Sequence, residues 1–129
     1  MIFLDTNVFI HHVGRRHPLR DRAREVVSEA LERDARLVTS AEVMQELVHF
    51  YRRSRRESVL RDALALLGGI VDEVWPVERA DVELAWQLAD RHPALDTRDL
   101  VHLACCLRRE PREVVTFDRG LAAAWEARG

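Results

Sequence analysis

The sequence contains no lysine, because all 20 of its basic residues are arginine. Chemistry that depends on a lysine amine is therefore excluded, including P-loop phosphate binding, Schiff-base catalysis and lysine general bases. Glycine is also scarce, with five residues in 129, and no Gly-x-Gly-x-x-Gly motif for a dinucleotide occurs. Any catalytic chemistry must use other side chains.

Cysteine and long apolar runs are equally limited. The two cysteines, Cys105 and Cys106, are adjacent in a predicted helix, where a disulfide between them would be strained. They provide neither a disulfide framework nor, alone, a zinc site. The longest apolar run, Ala63 to Val71, is about half the length of a membrane-spanning helix. Since the N-terminus also lacks the pattern of a signal peptide, we expect a cytoplasmic protein.

Charge of either sign is nearly balanced, with 22 acidic and 20 basic residues and a formal net charge of -2. Taken alone, this balance argues against a nucleic-acid partner, since such domains usually carry a basic excess. The length of 129 residues, with 47% hydrophobic and 33% charged residues, predicts a single globular domain over residues 1–129.

Short apolar runs alternate with helical patterns along the chain. The runs predict four strands, at Ile2 to Leu4, Leu37 to Val38, Ile70 to Trp75 and Val114 to Thr116. Amphipathic spacing predicts helices between them, including one from Pro18 and others at about 79–91 and 97–109, and a last helix after the fourth strand. Because no tight hairpin signal separates the strands, we expect an α/β fold with a parallel sheet.

Two helix boundaries carry specific signals. Thr39 and Glu42 have the spacing of a capping box, which predicts that a helix begins there. The next helix is expected to stop at the Gly68-Gly69 pair.

Four carboxylates are the strongest functional signal. Asp5 and Asp118 follow strands, and functional groups gather at the carboxyl ends of strands in open parallel sheets. Glu46 borders the apolar face of the helix after the second strand. Asp99 begins a helix that is apolar nearly all round, where a carboxylate is costly unless it is capped, paired or metal-bound. Four carboxylates without a cysteine cluster favour Mg²⁺ or Mn²⁺, whose obvious use is phosphodiester hydrolysis.

Four segments resemble, in family order, the motifs of PIN-domain ribonucleases: Phe3 to Asn7, Ser40 to Leu47, Arg98 to Ala104 and Val115 to Asp118. The resemblance covers essentially the whole chain, and its size is similar to that of the VapC toxins of toxin–antitoxin pairs. It implies a three-layer α/β/α sandwich on a parallel sheet of four or five strands. Many members have a fifth strand after the last helix, whereas this chain ends soon after that helix.

The same resemblance implies an activity and a set of partners. It implies a Mg²⁺- or Mn²⁺-dependent endoribonuclease in which a metal-activated water attacks RNA. Asp5, Glu46 and Asp99 correspond to the core metal ligands, and Asp118 corresponds to a more variable fourth acid. The toxin assignment implies homodimerisation and an antitoxin that blocks the acidic pocket.

The sequence alone allows two interpretations for several residues. Asp118 fits a helix N-cap as well as a metal ligand, and Asp96 fits an N-cap better than a catalytic role. Asn7 could form a turn or support Asp5. His102 shares a helix face with Asp99 and is interpreted mainly as a structural, hydrogen-bonded histidine.

Arg53 also has two interpretations. It falls on one line with Glu46 and His49 on a helical wheel, which would place it beside the metals as a phosphate contact. The alternative is that its charge merely complements the helix dipole.

Two other functions stay open as well. The first is a non-catalytic PIN domain that binds RNA or protein. The second is a phosphatase resembling haloacid dehalogenases, with Asp5 as nucleophile. The second requires an aspartate where this chain has Asn7, and a lysine that the chain lacks.

Overall fold

Four short parallel strands form the central sheet, in a computed structural model that describes residues 1–128. The strands are β1 (Ile2–Leu4), β2 (Leu37–Ser40), β3 (Glu73–Trp75) and β4 (Glu113–Val115). Their order across the sheet is β3-β2-β1-β4, and each neighbouring pair is parallel. β2 and then β3 lie on one side of β1, and β4 lies on the other side. The strand order therefore reverses at β1.

Helices flank the sheet, which confirms the α/β class. Within the described residues they are α1 (Thr6–His12), α2 (Pro18–Glu32), α3 (Ala41–Arg53), α4 (Glu57–Ile70), α5 (Arg79–Leu88), α6 (Thr97–Arg109) and α7 (Arg119–Glu126). A 3-10 turn at Ala89–Arg91 extends α5. Residues 1–128 contain four strands, and α7 is followed by no further strand in this range.

The core explains the uninterrupted apolar runs in the sequence. All three residues of β1 are buried, because a central parallel strand is covered on both faces. Phe3 stacks on Trp75 with ring centroids 5.4 Å apart, which ties β1 to the edge strand β3. Helix α6 is buried without a break from Leu100 to Cys106, and this accounts for its nearly uniform apolar sequence.

The capping-box prediction for α3 was wrong by one residue. Thr39 belongs to β2, and its hydroxyl donates a hydrogen bond to the Leu4 carbonyl at 2.8 Å. Ser40 is the N-cap instead, since its Oγ accepts from the Val43 N–H at 3.2 Å. The buried bond to β1 therefore keeps Thr39 in the strand.

The prediction that Gly68-Gly69 ends a helix was also wrong. Helix α4 continues to Ile70, and β3 begins only at Glu73. Neither glycine has a positive φ or a close neighbour at the position of a Cβ. The helix therefore includes both glycines, at an entropic cost of roughly 1 kcal/mol each.

A buried ion pair holds the end of α6 against the start of α5. The Asp81 side chain is wholly buried, and its Oδ1 lies 2.7 Å from Nη1 of Arg108 and 2.8 Å from Nη1 of Arg109. Its Oδ2 accepts from the Glu78 N–H at 2.8 Å. Burial alone would raise the pKa of Asp81, but these hydrogen bonds lower it to about 2. Because α6 carries Asp99 and His102, this contact also fixes a helix of the candidate site.

We expect Asp81→Asn to lower the free energy of unfolding by about 2 kcal/mol at pH 7. The lowered pKa stabilises the folded state above the ordinary pKa of an aspartate, and this stabilisation is lost as the pH falls through about 2. Urea unfolding should show the full difference from wild type above pH ~4 and about half of it near pH 3.

The exposed Asp90 offers a matched control, and Asp90→Asn should leave the unfolding midpoint unchanged. A difference between wild type and Asp81→Asn that grows on acidification would contradict this account.

Candidate metal centre

Asp5 lies at the carboxyl end of β1, where the strand order reverses. Such a switch point is the usual ligand crevice of an open parallel sheet. The side chain of Asp5 is the N-cap of α1, since its Oδ1 accepts from the Thr6 N–H at 2.7 Å. Only 3% of the residue is exposed. The first carboxylate of the site is therefore built into the fold.

The second oxygen of Asp5 is held by two side chains. Its Oδ2 accepts from the Thr116 hydroxyl at 2.6 Å and from Nδ2 of Asn7 at 3.4 Å. Asn7 is itself fixed, because its Oδ1 accepts from the Phe117 N–H at 3.1 Å. The interpretation of Asn7 as a support for Asp5 is thus confirmed, and Thr116 has the same role.

Glu46 and His102 complete a compact cluster with Asp5. The Glu46 carboxylate accepts from the Thr6 hydroxyl at 3.2 Å and contacts Nε2 of His102. That nitrogen lies 3.6 Å from Oδ1 of Asp5. One potential ligand atom from each of the three residues lies within 4.8 Å of the other two. The sequence favours a mainly structural role for His102, and the only sequence signal for its place in this cluster is its position three residues after Asp99.

Asp99 lies beside this cluster but outside the compact group. It is half-buried in the first turn of α6, and its N–H donates to Oδ1 of Asp96 at 2.9 Å, which confirms Asp96 as the N-cap. The Asp99 carboxylate accepts no hydrogen bond from residues 1–128. It is therefore free to bind a ligand.

Asp118 also lies outside the compact group. Its Oδ1 caps α7 by accepting from the Leu121 N–H at 2.8 Å. Within the described chain its Oδ2 makes no hydrogen bond. The capping interpretation is thus confirmed, and one oxygen is left for a second role.

The carboxylates of the site repel one another, and this repulsion and their burial raise the pKa values of two of them. Burial, followed by the charges of Asp96, Asp118 and Asp5, raises the pKa of Asp99 to about 7. Burial also raises the pKa of Asp5, and the charge of Glu46 adds to this effect. A cation at this position would relieve both effects.

The same negative charges favour the charged, protonated form of His102. Its burial would lower the pKa of the imidazole, but the hydrogen bond to Glu46 and the charges of Asp5 and Glu46 raise it. Its Nδ1 is buried and has no hydrogen-bond partner among residues 1–128.

The carboxylates of this site fit a hard divalent cation, because carboxylate oxygens are the ligands that Mg²⁺ and Mn²⁺ prefer.

An open cleft of about 550 Å³ adjoins the cluster between α1 and α3. It is lined by Thr6, Ile10, Glu46, His49, Phe50, Arg53, Ser54 and Arg98. Glu46, His49 and Arg53 therefore face the same cleft, as the helical wheel indicated.

Residues 2–125 match the PIN domain family. The chain is 54% identical over 127 residues to Ribonuclease VapC23 of Mycobacterium tuberculosis, covering 98% of this chain and 100% of that protein. It is 38% identical over 120 residues to VapC ribonuclease Mb1869c of Mycobacterium bovis, covering 93% and 92% of the two chains.

Solved structures share the fold. VapC20 of Mycobacterium tuberculosis, described as a sarcin-ricin loop cleaving toxin, superposes with a TM-score of 0.78 at 20% identity over 96% of this chain and 95% of that chain. VapBC2 of Rickettsia felis, solved bound to a DNA fragment from its promoter, gives a TM-score of 0.70 at 17% identity over 92% and 88%. The chain belongs to the PIN-domain family and, within it, to the VapC proteins.

None of the helices in residues 1–128 has the length and apolar character needed to cross a membrane.

We expect Thr116→Val to weaken Mn²⁺ binding by about 10-fold or more. Valine has nearly the same shape as threonine but cannot donate the 2.6 Å hydrogen bond that orients Asp5. Isothermal titration calorimetry with Mn²⁺ measures the change. Thr97→Val is the matched control, since Thr97 is exposed and its side chain makes no hydrogen bond to the described residues. Equal Mn²⁺ affinities of Thr116→Val and Thr97→Val would show that Thr116 does not position Asp5 for the cation.

Proposed function

We propose that this protein is a Mg²⁺- or Mn²⁺-dependent endoribonuclease and the toxin of a type II toxin–antitoxin pair. The observation that carries the proposal is the compact cluster of Asp5, Glu46 and His102 at the switch point of the sheet, in which Asp5 and His102 are buried and Glu46 is partly exposed. Relatives named as VapC ribonucleases, which align along nearly the whole chain, support the same activity.

We assign Asp5, Glu46, Asp99 and Asp118 as the residues that would hold the cation. When bound, the cation neutralises charge on the phosphodiester and lowers the pKa of the water that attacks phosphorus. The protein supplies a rigid frame for this chemistry. Thr116 and Asn7 fix the Asp5 carboxylate, and the Thr6 hydroxyl fixes Glu46.

His102 acts in this proposal as a positioning residue. Its Nε2 lies against both Glu46 and Asp5, and its backbone is fixed by the buried helix α6. An imidazole held in this way sets the direction of the Glu46 carboxylate.

The proposed partners are RNA, a cognate antitoxin and a second copy of this chain. A toxin of this type requires an antitoxin, and solved relatives include VapBC proteins. The homodimer follows from the family resemblance alone.

The central test compares RNA cleavage by wild type, Asp5→Asn and Asp99→Asn with Mn²⁺. We expect both substitutions to reduce cleavage of a structured RNA by roughly 100-fold or more, because each removes a charged ligand while keeping the shape of the side chain. Asp90→Asn is the control on an exposed carboxylate away from the site.

Full activity of a folded Asp99→Asn protein, or of wild type in excess chelator, would contradict the mechanism. RNA binding without cleavage and without Mn²⁺ binding would instead favour a non-catalytic PIN domain. Phosphate release from a phosphomonoester without RNA cleavage would favour the phosphatase.

We also expect the affinity for Mn²⁺ to rise about tenfold between pH 6 and pH 8. The raised pKa of Asp99, about 7, means that the carboxyl group must lose a proton before it can bind the cation. Calorimetric titrations across this range measure the trend, and Asp99→Asn should bind more weakly with a flatter pH dependence. A wild-type affinity that is constant, or that falls as the pH rises, would contradict this prediction.

A further inference from the structure

We propose that the cleft between α1 and α3 holds the single-stranded RNA segment next to the scissile bond. In this proposal, Arg53 and Arg98 contact RNA phosphates, and the ring of Phe50 contacts an unpaired base. The inference rests on the proposed ribonuclease function and deepens it, because it assigns substrate-positioning residues outside the acidic cluster.

The cleft begins at the candidate metal centre itself. Thr6 and Glu46, which are joined by a hydrogen bond of 3.2 Å, line both the cluster and the cleft. From there the lining follows α3 through His49 to Arg53. Seven residues of helix rise by roughly 10 Å, so an RNA strand leaving the centre has room for the nucleotides that adjoin the cut.

The cleft carries positive charge that is not paired within residues 1–128. Arg53 is exposed on α3, and Arg98 is half-buried on the first turn of α6. Neither guanidinium forms an ion pair or a hydrogen bond with residues 1–128, although Arg98 lies near enough to Glu42 to influence it electrostatically. Among the lining residues the only carboxylate is Glu46, which is already engaged by Thr6 and His102.

Two such arginines from different helices fit phosphate groups well. A guanidinium presents a planar set of donors that matches two oxygens of a phosphate. The contrast with Arg108 and Arg109 is informative, since both of these arginines are committed to the buried Asp81. The charges in the cleft are therefore available to a ligand.

Phe50 adds an apolar surface to this basic cleft. The residue is 39% exposed, although its ring is held in place by its neighbours. Tyr51 packs edge-on against it with ring centroids 4.9 Å apart, and the Arg56 guanidinium carbon lies 5.4 Å from its centroid. A fixed, exposed ring in a cleft that also contains Arg53 and Arg98 suits base stacking. Stacking of this kind is open to unpaired nucleotides, because paired bases are already stacked in a helix.

The test measures binding of a fluorescein-labelled octamer of adenosine ribonucleotides by fluorescence anisotropy over a series of KCl concentrations. Excess chelator keeps the RNA intact, so that binding is measured apart from cleavage. Arg53→Ala and Arg98→Ala should each reduce the salt slope by about 0.7, the value for one phosphate contact on a single strand. Phe50→Ala should weaken binding on the order of tenfold with an unchanged salt slope.

Arg112→Ala is the matched control. Arg112 is an exposed arginine without an ion pair in the described structure. It lies at the amino ends of β1 and β4, where its N–H donates to the Met1 carbonyl, whereas the cleft adjoins the carboxyl end of β1. The Arg112→Ala substitution should leave both the affinity for the RNA octamer and the salt slope at the wild-type values. Circular dichroism and Mn²⁺ titration establish that each variant is folded with an intact centre.

Salt slopes for Arg53→Ala and Arg98→Ala that equal the slope for Arg112→Ala would overturn the proposal. So would unchanged binding by Phe50→Ala, equal affinity for an RNA duplex of the same length, or no binding of the octamer by wild type. Cleavage by Asp99→Asn separates these results from failure of the proposed function. If that variant is inactive while the salt slopes are unaffected, the nuclease assignment stands and the cleft assignment fails.

Discussion

The burial of the Asp5 carboxylate at the end of β1 is the constraint on which the rest of the site depends. A charge with 3% of its residue exposed is tolerable only when its oxygens are paired. The N-terminus of α1 satisfies one oxygen, while Thr116 and Asn7 satisfy the other. These contacts join β1, α1 and the end of β4, so that the position of one carboxylate fixes the geometry around it.

The balanced overall charge hides a separation between acidic and basic residues in the folded protein. A net charge of -2 argued against an RNA partner when it was considered alone. In the folded protein, acids gather where they raise the pKa of Asp99 to about 7, while Arg53 and Arg98 line the adjoining cleft and form no ion pair with residues 1–128. Charges of opposite sign are therefore separated in space, and the sum over the chain does not describe either region.

Much of this arrangement could be predicted from the sequence, because it depends on local patterns. The strand ending at Asp5 and the capping aspartates at residues 96 and 118 follow from apolar runs and helix-start chemistry. The Thr39 boundary failed because a contact with Leu4, 35 residues away in the chain, outweighed the local capping signal. The contacts of His102 and the Asp81 ion pair could not be predicted for the same reason. Their partners lie on other elements of the fold, and helical spacing alone does not reveal them.

The most direct test of the account is the anomalous scattering of Mn²⁺ in crystals of the wild-type protein. We expect a single strong site, or an adjacent pair, in direct contact with Asp5 and Glu46 and within reach of Asp99. A well-ordered structure grown in Mn²⁺ that shows no anomalous peak at this cluster, or a peak bound only elsewhere, would contradict the claim that these carboxylates form a metal centre.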